Sequence, residues 1–387
     1  MADTTTTHAS VTLDLDVDIV EFCNQACLPE VLAVGTYTLE ESTKERIGKL
    51  YLFELTNVLD DSASTGLKEL TQHDTEAIFD LAWAPFETSS ANGGTAALLA
   101  QAGAGGNVEV YSVSRDQVPS DVGCADHSDD PTARAVNLDR IQKLECSLEG
   151  GLCTSVDWSH PDMSPTTLLA TSTSACELVV LDAAAPGRMS TLVHMAGAHD
   201  LEIWNVAFDR WKPMLLFSGA DDCAFKGWDL RIAGGDEEAE PALEGVFTNR
   251  RIHSAGVCCI VPSPWEENKV FTGSYDQTIR LWDLRALNRP VVQTELETEG
   301  GVWRIKCHPT KPGTVAAACM YGGFFVMEGF CGGAEPAVIQ EYVGSHDKAK
   351  IAYGVDWYKG EAASQSVAAS CSFYDRVLNI WSSPERV

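Results

Sequence analysis

The clearest pattern in the chain is Phe271-Thr-Gly-Ser-Tyr-Asp-Gln-Thr-Ile-Arg-Leu-Trp-Asp-Leu-Arg285, and an earlier copy reads Phe217-Ser-Gly-Ala-Asp-Asp-Cys-Ala-Phe-Lys-Gly-Trp-Asp-Leu-Arg231. The tryptophans of the two copies, Trp228 and Trp282, lie 54 residues apart. A period of this length indicates that the chain is built from repeated supersecondary units rather than from unrelated domains.

Histidines upstream of the two copies strengthen the repeat. Three series share one order, and they are His199–Asp222–Trp228, His253–Asp276–Trp282 and His346–Asp375–Trp381. The step from aspartate to tryptophan is six residues in each series, and the step from histidine to aspartate is 23 residues in the first two. This pattern is typical of WD repeats, whose four-stranded blades are held by buried hydrogen bonds among these groups. His346 stands further from its aspartate than the other two histidines do.

Weaker copies fill the rest of the chain and bring the number of units to seven. They cover Ala77–Val113, Cys153–Asp182, Gly300–Met327 and the region Leu32–Leu55. The last unit has no fourth strand, whereas residues 11–18 alternate apolar and polar side chains with the period of a strand. We therefore predict an all-β, seven-bladed WD40-type propeller over residues 11–387, closed by an N-terminal strand at 11–18, with residues 1–10 disordered. The irregular stretches near 116–135 and 234–241 are predicted surface loops.

Charge and cysteine content narrow the classes of function. The 387 residues include 27 Lys and Arg against 56 Asp and Glu, a net charge of −29, which disfavours nucleic acids and anionic membranes as partners. We find neither a signal peptide nor an apolar run long enough to span a bilayer. The 13 cysteines show no spacing typical of zinc sites. We expect a cytoplasmic protein without a metal or cofactor.

Specific sequence motifs beyond the generic repeat indicate one family. Gly300-Gly-Val-Trp-Arg304, Cys319-Met-Tyr-Gly-Gly-Phe324 and Cys371-Ser-Phe-Tyr-Asp375 occur together, and Leu32-Ala-Val-Gly-Thr-Tyr37 stands in the first unit. The combination resembles the diphthine methylesterase family, the WD-repeat proteins of diphthamide biosynthesis. The resemblance is strongest over Gly300–Trp381.

The resemblance implies an esterase that acts on a protein. Its substrate would be translation elongation factor 2 carrying methylated diphthine on a modified histidine, and its products would be diphthine and methanol. Other enzymes of the pathway would be further partners. The competing interpretation is a non-catalytic WD-repeat scaffold for protein–protein interaction, because propellers serve as scaffolds at least as often as enzymes.

The opening strands of the units supply candidate binding residues. When six of them are aligned, one position near the start reads Phe79, Thr154, Trp204, Cys258, Trp303 and Tyr353. The starts of the innermost strands converge on the mouth of a propeller's central channel. The four aromatic members therefore predict a cage for the trimethylammonium group of diphthine. The alternative is that these rings pack between blades.

Candidate catalytic residues follow from what ester hydrolysis needs. Arg304, one position beyond Trp303, is suited to hold an oxyanion or the product carboxylate, or else it pairs with a neighbouring acid. His346, oriented by Asp375, is a candidate to activate water or Cys371. Asp356 and Asp80 are the alternative general bases. Buried structural histidines are the rule in WD blades, so His346 also has a purely structural interpretation.

Overall fold

The computed structural model describes residues 5–58, 65–90, 93–116, 135–160, 167–231, 244–344, 346–347, 351–360 and 365–384. All regular secondary structure in these residues is β strand, which confirms the all-β class. Within the described ranges, no helix has the length and apolar character needed to cross a bilayer. The acidic stretches near 116–135 and 234–241 fall largely outside them, as do residues 1–4 of the segment predicted to be disordered.

Seven antiparallel sheets form the blades of the propeller, and each begins with an inner strand. The first strand of the chain, β1, is Thr6–Thr12. Blade 1 contains β2 Val17–Phe22, β3 Val31–Thr36, the short β4 Thr38–Leu39, β5 Arg46–Thr56 and β6 Gly66–Glu76. Blade 2 contains β7 Ile78–Ser89, β8 Thr95–Gly103, β9 Asn107–Arg115 and β10 Val136–Glu145. Blade 3 contains β11 Cys153–Trp158, β12 Leu168–Thr173, β13 Leu178–Asp182 and β14 Ser190–Met195.

The remaining four blades follow in chain order. Blade 4 contains β15 Ile203–Phe208, β16 Leu215–Ala220, β17 Phe225–Asp229 and β18 Glu244–Asn249. Blade 5 contains β19 Val257–Pro262, β20 Lys269–Ser274, β21 Thr278–Asp283 and β22 Val291–Glu297. Blade 6 contains β23 Arg304–Cys307, β24 Val315–Ala318, β25 Phe324–Glu328 and β26 Ala337–Tyr342. Blade 7 contains β27 Ala352–Trp357, β28 Gln365–Ser372 and β29 Val377–Pro384, and β1 is its fourth strand.

The N-terminal strand closes the ring, as the sequence predicted, but its bounds differ. β1 pairs antiparallel with β29, from Thr6 opposite Ser382 to Thr12 opposite Val377. Residues 6–10, predicted to be disordered, form most of this strand, whereas Val17 and Asp18 already belong to the inner strand of blade 1. The chain turns between the two strands because Arg376 holds it there, donating to the Asp16 carboxylate at 2.9 Å and to the Asp14 carbonyl at 2.8 Å.

Burial follows the position of a strand in its blade. Strands near the centre, such as β16 Leu215–Ala220, are buried at every residue because neighbouring blades cover both faces. The outer strand β22 Val291–Glu297 alternates exposed and partly buried residues, since one of its faces meets solvent. The inner strand β2 packs against β7 on one side and β27 on the other, so the ring of blades is closed. The apolar core is thus divided into layers between blades.

Histidine-centred hydrogen bonds fasten blades 4 and 5. In blade 4 the two His199 ring nitrogens lie 3.0 Å from Asp222 Oδ1 and 2.7 Å from Ser218 Oγ, and Trp228 donates to the same serine at 2.8 Å. In blade 5 the Thr272 hydroxyl has the place of that serine, 3.0 Å from His253 Nε2. These chains satisfy polar groups that would otherwise be buried without partners. His199 and His253 therefore have the structural role that their spacing predicted.

Candidate functional site

A β-bulge near the start of the inner strand is a recurring feature of the blades. The extra residue of each bulge is left out of the strand register, and these residues are Asp18, Phe79, Thr154, Trp204, Cys258 and Tyr353. Bulges redirect side chains and are common beside functional sites. These six residues lie at the end of the channel where the inner strands begin, which we call the channel mouth.

Six aromatic rings form a continuous series around the channel mouth. We call the series Phe79, Tyr37, Phe373, Tyr353, Trp303 and Trp204 the aromatic arc. Successive ring centroids are 4.9, 6.1, 5.0, 5.0 and 5.8 Å apart. The last contact joins Trp204 of blade 4 to Trp303 of blade 6, across the intervening blade. Since these blades are not neighbours, the two indoles must extend over the channel.

The structure thus brings together the four aromatic residues that were predicted to form a cage. Phe79, Trp204 and Tyr353 are partly exposed, whereas Trp303 is buried, with 8% of its surface exposed. The alternative interpretation was that these rings pack between blades. In the structure, their ring contacts run around the mouth. Tyr275 adds a further ring, 6.0 Å from that of Trp303.

The sequence alignment missed three rings of this site, namely Tyr37, Tyr275 and Phe373. Each lies in the turn after the second strand of its blade rather than on an inner strand. A signal for them exists, because all three directly follow a Ser or Thr at the end of that strand, in Gly-Thr-Tyr37, Gly-Ser-Tyr275 and Cys-Ser-Phe373. The turns after second strands approach the same end of the channel as the starts of inner strands.

Asp18 is the bulge residue of blade 1 and was not among the predicted site residues. It was missed because residues 11–18 were assigned to the closing strand, which left blade 1 out of the alignment. Asp18 is only 2% exposed, and its Oδ1 has no hydrogen-bond partner among the described residues. Burial raises the pKa of the Asp18 carboxyl to about 8; Asp80 adds to the rise and Arg304 opposes it.

Arg304 crosses the channel from blade 6 to blade 2. Its guanidinium donates to Asp80 Oδ1 and to the carbonyl of Phe79, both at 2.7 Å. Asp80 Oδ2 in turn accepts a hydrogen bond from the amide of Val156 at 3.0 Å. The pairing with a neighbouring acid therefore exists, and it fixes Arg304 directly beneath the mouth. The Nε atom of Arg304 and the indole Nε1 of Trp303 are buried without hydrogen-bond partners among the described residues.

The structure places His346 away from the channel, in the structural hydrogen-bond chain of blade 7. Its ring nitrogens lie 2.5 Å from Ser372 Oγ and 2.8 Å from Ser370 Oγ, and Trp381 donates to Ser370. Asp375 reaches the histidine only through the hydroxyl of Ser372. Burial lowers the pKa of His346 to about 4. Both ring nitrogens are used within the blade, so His346 and Asp375 are not positioned to activate water at the mouth.

Cys371 does not qualify as the nucleophile. Its side chain is completely buried, and burial raises the pKa of the thiol above its ordinary value. A nucleophilic cysteine needs a thiolate, which burial in apolar surroundings disfavours. The Cys371 prediction therefore has no support from the geometry of the site.

Asp356 lies on the inner strand β27 three residues beyond Tyr353, so it is about 10 Å further along the channel. Its Oδ2 accepts a hydrogen bond from the amide of Phe22 at 2.8 Å and forms an ion pair with the Lys359 ammonium at 2.8 Å. Lys359 and Lys306 also pair with Glu21. Asp356 thus belongs to a cluster of charged residues deep in the channel. Arg304, which crosses the channel, lies between this cluster and the mouth.

A cavity of about 260 Å³ lies in the channel, and Arg304 and Asp80 line it together with later residues of the inner strands. Asp157 faces this cavity, and its Oδ2 accepts a hydrogen bond from the amide of Phe208 at 2.7 Å. Burial raises the pKa of the Asp157 carboxyl to about 7. The cavity and the mouth are therefore two chemically different ends of one channel, the mouth aromatic and the cavity charged.

The channel mouth combines three chemical properties. Aromatic faces attract a quaternary ammonium ion through their quadrupoles. A buried carboxyl whose pKa is raised to about 8, as in Asp18, can accept or donate a proton during catalysis. A guanidinium and an indole N–H supply donors for a developing negative charge. Together these groups suit hydrolysis of an ester that is carried next to a fixed cation.

Comparisons with known proteins agree with the fold and select a family. The family described as WD domain, G-beta repeat matches residues 246–283. The mouse diphthine methyltransferase is 30% identical over 90% of this chain and 68% of the mouse protein, and the human diphthine methyltransferase is 30% identical over 90% of this chain and 74% of the human protein. The Saccharomyces cerevisiae diphthine methyltransferase is 28% identical over 91% of this chain and 92% of the yeast protein. The chain therefore belongs to the diphthine methyltransferase family of WD-repeat proteins.

Proposed function

We propose that this protein acts in diphthamide biosynthesis as a methylesterase. Its substrate is translation elongation factor 2 carrying methylated diphthine, and its products are diphthine, with a free carboxylate, and methanol. The observation that carries the proposal is the aromatic arc, which extends over a buried carboxyl and a fixed guanidinium at the channel mouth. The family membership supports the choice of diphthine as the group that is recognised.

The aromatic arc supports binding of the trimethylammonium end of the substrate. Each ring face that contacts a quaternary ammonium ion contributes about 0.5–2 kcal/mol, and more when the contact is shielded from water. The chain's net charge of −29 adds an attractive field for a cationic group and a repulsive one for the product carboxylate. Substrate is therefore favoured over product at the same site.

The substrate's methyl ester is proposed to lie below the trimethylammonium group, against Arg304 and Asp18. Ester hydrolysis needs a base for water and donors for the oxyanion, and it needs no further reactant. The relatives are named as methyltransferases, so the experiment must distinguish removal of a methyl group from its addition. Hydrolysis removes a methyl group from the substrate and releases methanol, whereas methylation of diphthine adds one and consumes a methyl donor.

The test incubates the purified protein with ester-modified elongation factor 2, without any methyl donor, and follows both the protein mass and methanol. We expect the substrate to lose one methylene unit in mass and an equal amount of methanol to form. In a parallel reaction that contains diphthine-bearing elongation factor 2 and an added methyl donor, a gain of mass would replace hydrolysis with methylation. Tight binding with neither change would make the protein a non-catalytic scaffold.

The same assay tests recognition by the arc, using Trp204→Leu and Phe79→Leu at its two ends. We expect KM to rise between about 2-fold and 30-fold per variant, which corresponds to one lost cation–π contact. A modified peptide with the same methyl ester but no quaternary ammonium serves as the control substrate, and its KM should not change. Equal losses on both substrates would show that the rings have a structural role only.

A further inference from the structure

Three buried polar atoms at the channel mouth have no hydrogen-bond partner among the described residues. They are Asp18 Oδ1, Trp303 Nε1 and Arg304 Nε. A buried polar group without a partner costs about 1–3 kcal/mol, so such groups are uncommon and call for an explanation. These three are one acceptor and two donors, and they belong to blades 1 and 6, whose inner strands begin at the same end of the channel.

We propose that these three groups are the reaction centre, with Asp18 as the general base and the N–H groups of Trp303 and Arg304 as the oxyanion donors. This inference rests on the proposed ester hydrolysis and assigns the residues that perform it. The geometry supports it in two ways. Arg304 is held rigidly by Asp80 and the Phe79 carbonyl, which leaves its Nε–H for another acceptor. Trp303 is fixed between Trp204 and Tyr353 by ring contacts.

The chemical step balances with water as the only co-reactant. The water oxygen forms a bond to the ester carbonyl carbon while Asp18 Oδ1 takes one proton of that water. The carbonyl oxygen becomes an oxyanion that accepts hydrogen bonds from Trp303 Nε1 and Arg304 Nε. The tetrahedral intermediate then collapses, the bond to the methoxy group breaks, and Asp18 returns its proton to give methanol. The carboxylic acid product loses its proton to solvent.

The surroundings of Asp18 favour this role. The charges of Arg304 on β23 and Asp80 on β7 interact electrostatically with the Asp18 carboxyl. The Asp18 charge in turn raises the pKa of three neighbouring groups, which are Tyr353 on β27, Tyr275 in the turn after β20 and Cys371 on β28. Burial dominates and raises the pKa of Asp18 to about 8. A carboxylate with this pKa is a stronger base than an exposed one. Because only the ionised form accepts a proton, kcat/KM should rise with pH through about 8.

The first test is Asp18→Asn, with Asp157→Asn as the matched control. Asp157 is also an inner-strand aspartate whose pKa burial raises, but it faces the channel cavity. We expect Asp18→Asn to lose at least about 100-fold in kcat, the usual contribution of general base catalysis, and to lose the rise with pH. Asp157→Asn should keep both the rate and the pH profile. Thermal melting establishes that each variant is folded.

The second test is Trp303→Phe, which retains an aromatic ring in the arc but removes the N–H donor. We expect kcat to fall by about 100-fold with little change in KM, because the donor acts on the oxyanion rather than on the bound ester. A wild-type protein without hydrolase activity would overturn the proposed function itself. An active wild type whose Asp18→Asn variant keeps its rate and pH profile, or whose Trp303→Phe variant keeps its kcat, would overturn this inference alone.

Discussion

At the scale of single residues, the channel mouth shows how position in a repeat determines what a side chain does. In the sequence, His346 has the acidic residue nearby that a catalytic histidine needs. In the structure, both of its ring nitrogens form hydrogen bonds inside blade 7. Asp18 looks ordinary in the sequence, and its place on the bulge of blade 1 brings it to the channel mouth. The chemistry of a propeller site therefore depends on strand register more than on residue type.

The free energy of unfolding should depend on pH because the Asp18 carboxyl is buried. The folded carboxyl keeps its proton up to pH about 8, whereas the unfolded carboxyl loses it near its ordinary pKa of 3.8. The folded state thus binds more protons in this range, and stability falls as pH rises from about 4 to about 8.

Replacing Asp18 by Asn removes that dependence, so the variant should be more stable than wild type at pH 8.5 and nearly equal to it near pH 4. We expect a Tm difference at pH 8.5 of at least about 2 °C, which corresponds to roughly 1 kcal/mol in a chain of this size. Melting curves of both proteins across this pH range provide the check. A Tm difference that stays constant with pH would mean that Asp18 is not the titrating group.

At the scale of elements, the sequence was most informative where the repeats were strict. The copies ending at Arg231 and Arg285 specified their blades, because turn, tryptophan and histidine all occur at fixed distances. The alternation over residues 11–18 was misleading, since it continues through the turn that Arg376 holds and joins two different strands. That error hid Asp18. The aromatic rings on turns were missed because only inner strands were aligned.

The closing strand supports a prediction about stability. β1 supplies the fourth strand of blade 7, and Ala9 and Val11 pack against the core between blades 7 and 1. Deleting residues 2–12 would leave the edge of β29 unpaired and that core exposed. We expect Tm to fall by at least about 5 °C, since each kcal/mol lost shifts Tm by about 2–4 °C in domains of 150–250 residues.

Deletion of residues 2–4, which lie outside the described strand, is the matched control and should melt like the full chain. Differential scanning calorimetry of the three proteins distinguishes the cases. Equal melting of the two deletion variants would show that the ring does not depend on β1 for its closure.

At the scale of the whole molecule, the ring explains why distant parts of the chain meet at one site. Arg304 and Asp80 are 224 residues apart in sequence and are joined by a hydrogen bond of 2.7 Å across the channel. The closed ring fixes the distance between opposite blades, so the proposed oxyanion donors and general base are held in place before substrate arrives. Most of the chain's acidic excess lies outside this site and acts on it as a long-range field.

In the proposed reaction, water attacks the acyl carbon of a methyl ester at the channel mouth. The most direct measurement performs the reaction in water enriched in heavy oxygen and analyses both products by mass spectrometry. Attack at the acyl carbon should place one heavy oxygen in the carboxylate of the product and none in the methanol. Heavy oxygen in the methanol, or transfer of the methyl group to an acceptor other than water, would contradict it.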